Sequence, residues 1–166
     1  AMSQWASAFA ESGLGVTKTW GDLAGPCLFA VLMGTARAFY AVFSDRVSLL
    51  GFIRGSCVLC VGAYLLAVFA PHPALALLGC GLCGLSVGIL WPGVFSIAAG
   101  RMPAGGTALF ALLALGGDLG CSSGPTLVGF VSEQAGGSLR AGLLAAIFFP
   151  LVLLGGSFFL RRRKTE

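Results

Sequence analysis

Five apolar runs constrain this chain more than any other feature. They occupy 24–43, 52–70, 74–99, 107–132 and 142–160. Each is close to the ~20 residues that an α-helix needs to cross ~30 Å of hydrocarbon. The runs lack the period-2 alternation of a transmembrane β-strand, which argues against a barrel. The expected fold is therefore an all-α, multi-pass membrane protein, with the lipid bilayer as its first partner. Composition agrees. The chain is 57% hydrophobic and only 10% charged, where soluble domains carry about 25% charged residues. Its mean hydropathy is +0.96. The net charge of +4 is not a nucleic-acid footprint, because Arg161, Arg162, Arg163 and Lys164 form one cluster in the tail 161–166.

The N-terminus has no basic region ahead of an apolar core, so no cleavable signal peptide is expected. Residues 1–10 read as the end of an earlier helix and 11–23 as a polar loop. A chain that opens inside a helix-like run reads as one that begins mid-protein.

Basic residues set the expected orientation. One set of loops and helix ends holds Arg46, Arg54, Arg101 and the four tail residues; the other holds Lys18 and Arg140. The richer side is expected to be cytoplasmic. The expected location is the plasma (inner) membrane, with a cytoplasmic C-terminus. Arg37 lies inside the first span, about two turns from that side, where it can snorkel or pair with an acid.

Small residues recur every fourth position: Cys80, Gly84 and Gly88 on the third span, Gly116, Gly120 and Gly124 on the fourth. Such stripes let helix backbones approach closely. Pro92, Pro125 and Pro150 each remove a backbone hydrogen bond in mid-span.

Several catalytic and metal patterns fail on geometry. Cys57-x-x-Cys60 and Cys80-x-x-Cys83 have zinc-like spacing. On antiparallel helices joined at residue 72, Cys60 and Cys83 share a depth, whereas Cys57 and Cys80 differ by ~10 Å. Four sulfurs at ~2.3 Å from one zinc cannot be spread so far, so these cysteines read as packing residues and no metal is expected. "GCSSG" at 120–124 imitates the serine-hydrolase elbow, but that elbow needs a strand-to-helix turn and a histidine base. The one histidine, His72, falls in a loop on the opposite side. "LGGD" at 115–118 approaches an intramembrane aspartyl protease motif, which needs a second buried carboxylate to share a proton. Asp22 and Asp45 stand at span ends. No catalytic residue, enzyme activity or cofactor is expected; the protease stays a distant alternative.

Three longer stretches resemble a known family. "GTARAFYAVFSDR" at 34–46 is similar to the loop motif of the major facilitator superfamily, with its Gly-x-x-x-Asp-Arg core ending in Asp45-Arg46. "GILWPGVFSIAAGRMPAGG" at 88–106 resembles the tenth helix and following loop of the fucose-permease-like, sugar-transporting branch. "GGDLGCSSGPTLVGFVSEQAGG" at 116–137 resembles its eleventh helix. The resemblance implies the C-terminal half of a twelve-helix transporter: helices eight to twelve and the end of helix seven. Its partner is a six-helix N-terminal half that is missing here. The function implied is secondary active transport of a small polar solute, a sugar being favoured, by rocking one half against the other. Arg37, Asp45 and Arg46 fall on the gating loop motif. Two departures stand out: Ala41 replaces the motif's glycine, and Arg54 alone remains of its second basic cluster. Proton-coupling acids of such relatives lie in the other half.

Asp118 is eleven residues from one end of its run and fourteen from the other. A charged aspartate facing lipid at that depth costs at least ~2.5–3.5 kcal/mol. It should line a cavity or face another helix. Helical spacing groups it with Thr107, Ala111, Ala114, Cys121, Ser122 and Pro125, opposite the glycine stripe. The expected solute site is Asp118 and Ser122, joined by Trp91 from the third span and by Gln4 and Trp5 from the first ten residues. Asp118 would bind solute hydroxyls or carry a coupling proton. The competing reading is a non-transporting membrane subunit that docks to a partner through its glycine stripes.

Overall fold

The computed structural model describes residues 17–43 and 48–162, together with Met2, Trp5, Ala8 and Glu11. It is all-helical, about 90% helix, with no strand among the described residues. From Lys18 onward the α-helices among the described residues are, in order, α1 (Lys18–Phe43), α2 (Leu49–Phe69), α3 (Pro73–Val87), α4 (Leu90–Arg101), α5 (Gly106–Gln134), α6 (Leu139–Ala145) and α7 (Phe148–Arg162). Five stretches are long and apolar enough to cross a membrane: Gly25–Phe43, Leu49–Phe69, Ala74–Arg101, Pro103–Gln134 and Leu139–Phe158. The chain is thus a multi-pass membrane protein by length and composition.

Local chemistry sets the helix ends. Ser48 caps α2, its hydroxyl accepting from the Gly51 amide at 3.3 Å, which satisfies one of the free N–H groups at a helix start. Pro73 opens α3 from its first turn, the one helical position where a missing N–H costs nothing. The connection after α5 closes on Gly136 and Gly137, both at positive φ (67° and 87°). There a side chain would strain the backbone. Helix α1 starts at Lys18, inside the segment expected to be loop.

The third and fifth spans are each two helices. Helix α3 ends at Val87 and α4 starts at Leu90; α6 ends at Ala145 and α7 starts at Phe148. Each break lies four residues before a proline, Pro92 or Pro150. A proline cannot donate to the carbonyl four residues back, and its ring crowds that carbonyl. Pro125 acts differently, because α5 runs unbroken through it. Around it, the Ser122 hydroxyl donates to the Asp118 carbonyl (2.9 Å) and Thr126 to the Ser122 carbonyl (2.7 Å). Both hydroxyls add a second donor to carbonyls other than that of Cys121, the one Pro125 cannot serve.

Helix α3 is the centre of the fold, packed against α1 on one side and α2 on the other. Its glycines make this possible. A β-carbon at Gly79 would meet the backbone of Ala63 and Ala67 on α2, and one at Gly84 would overlap the Phe29 backbone on α1. Gly88 sits equally close to the Met33 carbonyl and Ala36. The expected Cys80–Gly84–Gly88 stripe therefore packs as small-residue helix contacts do. Cys60, Cys80 and Cys83 are buried together in the core between α2 and α3 and Cys57 is buried on α2, with Cys60 Sγ 3.9 Å from Cys83 Sγ. That is the equal depth counted from the turn.

The second stripe does not pack as expected. A β-carbon at Gly116 or Gly120 would meet nothing within 4 Å. Gly120 and Gly124 instead line a cavity of about 260 Å³ with Cys60, Tyr64 and Pro150. Helix α5 touches the rest mainly through α6, where Gly142 abuts the Val128 backbone. Helix α7 closes on α2 through Arg54. Its Nε donates to the Ser157 hydroxyl (3.1 Å), a terminal nitrogen to the Ser157 carbonyl (2.6 Å), and its guanidinium lies 4.6 Å from the Phe158 ring centre.

Candidate functional site

Trp91 is the second residue of α4, directly after the break that Pro92 imposes. It is half-exposed, and its ring rests on Gly117 of α5: a β-carbon there would overlap the indole. Phe95 packs 4.7 Å from Trp91 and stacks 5.7 Å from Phe110. An aromatic row thus ties α4 to α5. The sequence leads one to expect Trp91 about one turn nearer the cytoplasm than Asp118, on a neighbouring span. The ring in fact reaches the residue next to Asp118.

Asp118 is exposed on α5. So is Ser122, whose hydroxyl is spent on the Asp118 backbone carbonyl. It keeps acceptor capacity but not its proton. One further turn along, the indole N–H of Trp5 donates to the Pro125 carbonyl at 3.2 Å, and the same ring lies over Gly129. Two indoles therefore rest on α5, at Gly117 and Pro125. Eight residues separate them, ~12 Å along the axis, with Asp118 and Ser122 between. The structure brings together Trp91, Asp118, Ser122 and Trp5 along one helix. Gln4, Asp45 and Arg46 lie outside the described residues.

The expected division of α5 into a packed glycine face and a polar cavity face does not hold. Residues 107–123 are mostly exposed all round, and Gly117 makes the contact expected of Gly116 and Gly120. The cause is register. A bulky partner, Trp91, sets where α5 can approach, and glycine spacing alone carries no information about that partner.

Arg37 meets no acid among the described residues. Its Nε donates to the Gly88 carbonyl at 2.9 Å. That carbonyl is the one Pro92 cannot serve. Arg37 also lines a cavity of about 400 Å³ between α1 and α4, with Tyr40, Leu49, Trp91, Pro92 and Ser96. Sequence reasoning missed Tyr40, Ser96 and this pairing. The signal was present, since a proline four residues after Gly88 frees a carbonyl. Which group answers it depends on α1 crossing α3 there. Among the described residues no group of three or more His, Cys, Asp or Glu is placed to hold a metal.

No protein family, curated protein or solved structure matches this chain.

Proposed function

We propose that the chain forms part of a secondary active transporter of the major facilitator type, moving a small polar solute by alternating access. The resemblance described above favours a sugar. The observation that carries the reading is Asp118, an exposed carboxylate near the middle of a helix apolar enough to cross a membrane, adjacent in sequence to Gly117, on which the Trp91 ring rests. A carboxylate at that depth is costly against lipid. With an aromatic plane resting on the adjacent residue, it suits a solute with hydroxyls on one side and an apolar face on the other. The broken third and fifth spans support the same reading, since discontinuous helices are common where a transporter holds its cargo.

The test is Asp118→Asn in the full-length protein, in vesicles at matched expression. This change keeps the shape and removes the charge. If Asp118 binds solute, gradient-driven accumulation and solute exchange fall together, by about 1.5–3 kcal/mol of binding. If it carries a coupling proton, accumulation is lost and exchange survives. Wild-type values for both would remove Asp118 from the mechanism. A second reading, a non-transporting subunit that docks through its helices, is favoured by the open Gly116 and Gly120 on α5. Saturable uptake by the full-length protein separates the two.

A further inference from the structure

An arginine stays charged in any protein environment, and inside a membrane span it needs compensation. Arg37 stands six residues before the end of the Gly25–Phe43 span, about 9 Å along the helix. Its bond to the Gly88 carbonyl uses one of five guanidinium N–H groups. That bond is made by Nε, so both terminal amino groups keep their donors, and the guanidinium is anchored by its inner edge. No carboxylate among the described residues pairs with it, and the side chain is exposed.

The cavity it lines, about 400 Å³, falls in the range of small-molecule sites, ~300–1,000 Å³. Tyr40 adds a phenol whose ring is held 5.1 Å from Phe52. Its hydroxyl has no hydrogen-bond partner among the described residues. Trp91 supplies an aromatic wall. Ser96 donates its proton to the Pro92 carbonyl at 2.9 Å, so the free donors of the cavity are those of Arg37 and Tyr40. With a fixed cation, a second donor and no acid in its lining among the described residues, the cavity favours negative charge. A planar guanidinium fork matches the two oxygens of a carboxylate or phosphate.

We propose that the cavity between α1 and α4 binds a small organic oxyanion, its carboxylate or phosphate on Arg37 and Tyr40 and its apolar body against Trp91. The inference does not require the transport proposed above, since it concerns binding alone. Near a span end, the same oxyanion chemistry is offered by a soluble metabolite or by a lipid headgroup.

Thermal unfolding of the purified full chain tests it. In neutral detergent the probes are D-glucuronate and inorganic phosphate, with D-glucose as the uncharged match. In phosphatidylcholine nanodiscs the probe is added phosphatidylglycerol. Wild type should be stabilised by at least one of the oxyanions and not by glucose. Arg37→Gln should weaken that response about tenfold or more, as loss of a charged hydrogen bond implies, and Arg37→Lys should keep part of it. If Arg37→Gln does not fold, Tyr40→Phe, which leaves the Gly88 contact intact, should weaken the response. Stabilisation by phosphatidylglycerol alone, lost in the same variants, identifies the oxyanion as a headgroup and upholds the site. Three outcomes overturn it: no response to any oxyanion, an equal response to glucose, or an unchanged response in the Arg37 and Tyr40 variants. Oxyanion binding with no solute flux would uphold this site while counting against transport.

Discussion

At the scale of single residues, glycines that look alike in sequence do different things. Gly84 is pressed against the Phe29 backbone, whereas Gly116 faces open space. Backbone cannot move aside as a flexible side chain can, so Gly84→Ala should destabilise the chain by about 1–3 kcal/mol, the usual cost of overpacking. Gly116→Ala adds a methyl where nothing is displaced and removes a poor helix former. It should be neutral or stabilising, by up to ~1 kcal/mol. Thermal unfolding of both variants in one detergent checks this; equal losses would show that α5 packs more closely than the structure has it. Two arginines within the spans share a habit. Arg37 donates to the Gly88 carbonyl and Arg54 to that of Ser157. A cation paired with backbone dipoles leaves no acid buried in its turn. The positions of both arginines are plain in the sequence; their acceptors belong to other helices and are not.

Among the helices, the contrast between α3 and α5 decides the architecture. Both are glycine-rich. Helix α3 is buried between α1 and α2, while the Pro103–Gln134 span has none of its most apolar window buried. Thiol chemistry reads this contrast directly. Cys57, Cys60, Cys80 and Cys83 are buried, while Cys27 on α1 and Cys121 on α5 are exposed. In detergent, N-ethylmaleimide should modify Cys27 and Cys121 first, and the other four only as the chain unfolds. Mass spectrometry of timed samples resolves the order, and early labelling of Cys60 or Cys83 would contradict the α2–α3 packing. The pairing of Cys60 with Cys83 could be counted from the sequence, because an antiparallel turn at residue 72 ties depth to chain distance at 1.5 Å per residue. The split of the third and fifth spans could be only half foreseen. Three mid-span prolines look equivalent, yet Pro92 and Pro150 break their helices and Pro125 does not. Ser122 and Thr126 bond to carbonyls that precede Pro125, as Ser96 bonds to that of Pro92, so these hydroxyls do not set the three prolines apart.

For the whole molecule, the distribution of basic residues carries the topology prediction. Threading the five runs puts Arg46, Arg54, Arg101 and the four tail residues on one expected side and Lys18 and Arg140 on the other, and basic loops are retained in the cytoplasm. In a cysteine-less background, a cysteine at Gly105 should resist an impermeant thiol reagent in intact cells, and one at Ser138 should react. The opposite pattern inverts the orientation. Five apolar stretches of membrane length, their order and the all-helical class follow from the sequence alone, because hydrocarbon leaves a backbone no partner but itself and helices satisfy it locally. The depth of Asp118 follows too, since position along a helix is a count of residues. What meets what is a different matter. That Trp91 rests on Gly117 rather than Gly116, and that Arg37 answers the carbonyl Pro92 leaves free, was decided only by the tertiary structure. So was the open exposure of α5. The two contacts join residues 26 and 51 positions apart. Their register is set by rotation and sliding of one helix on another, and no local pattern encodes either.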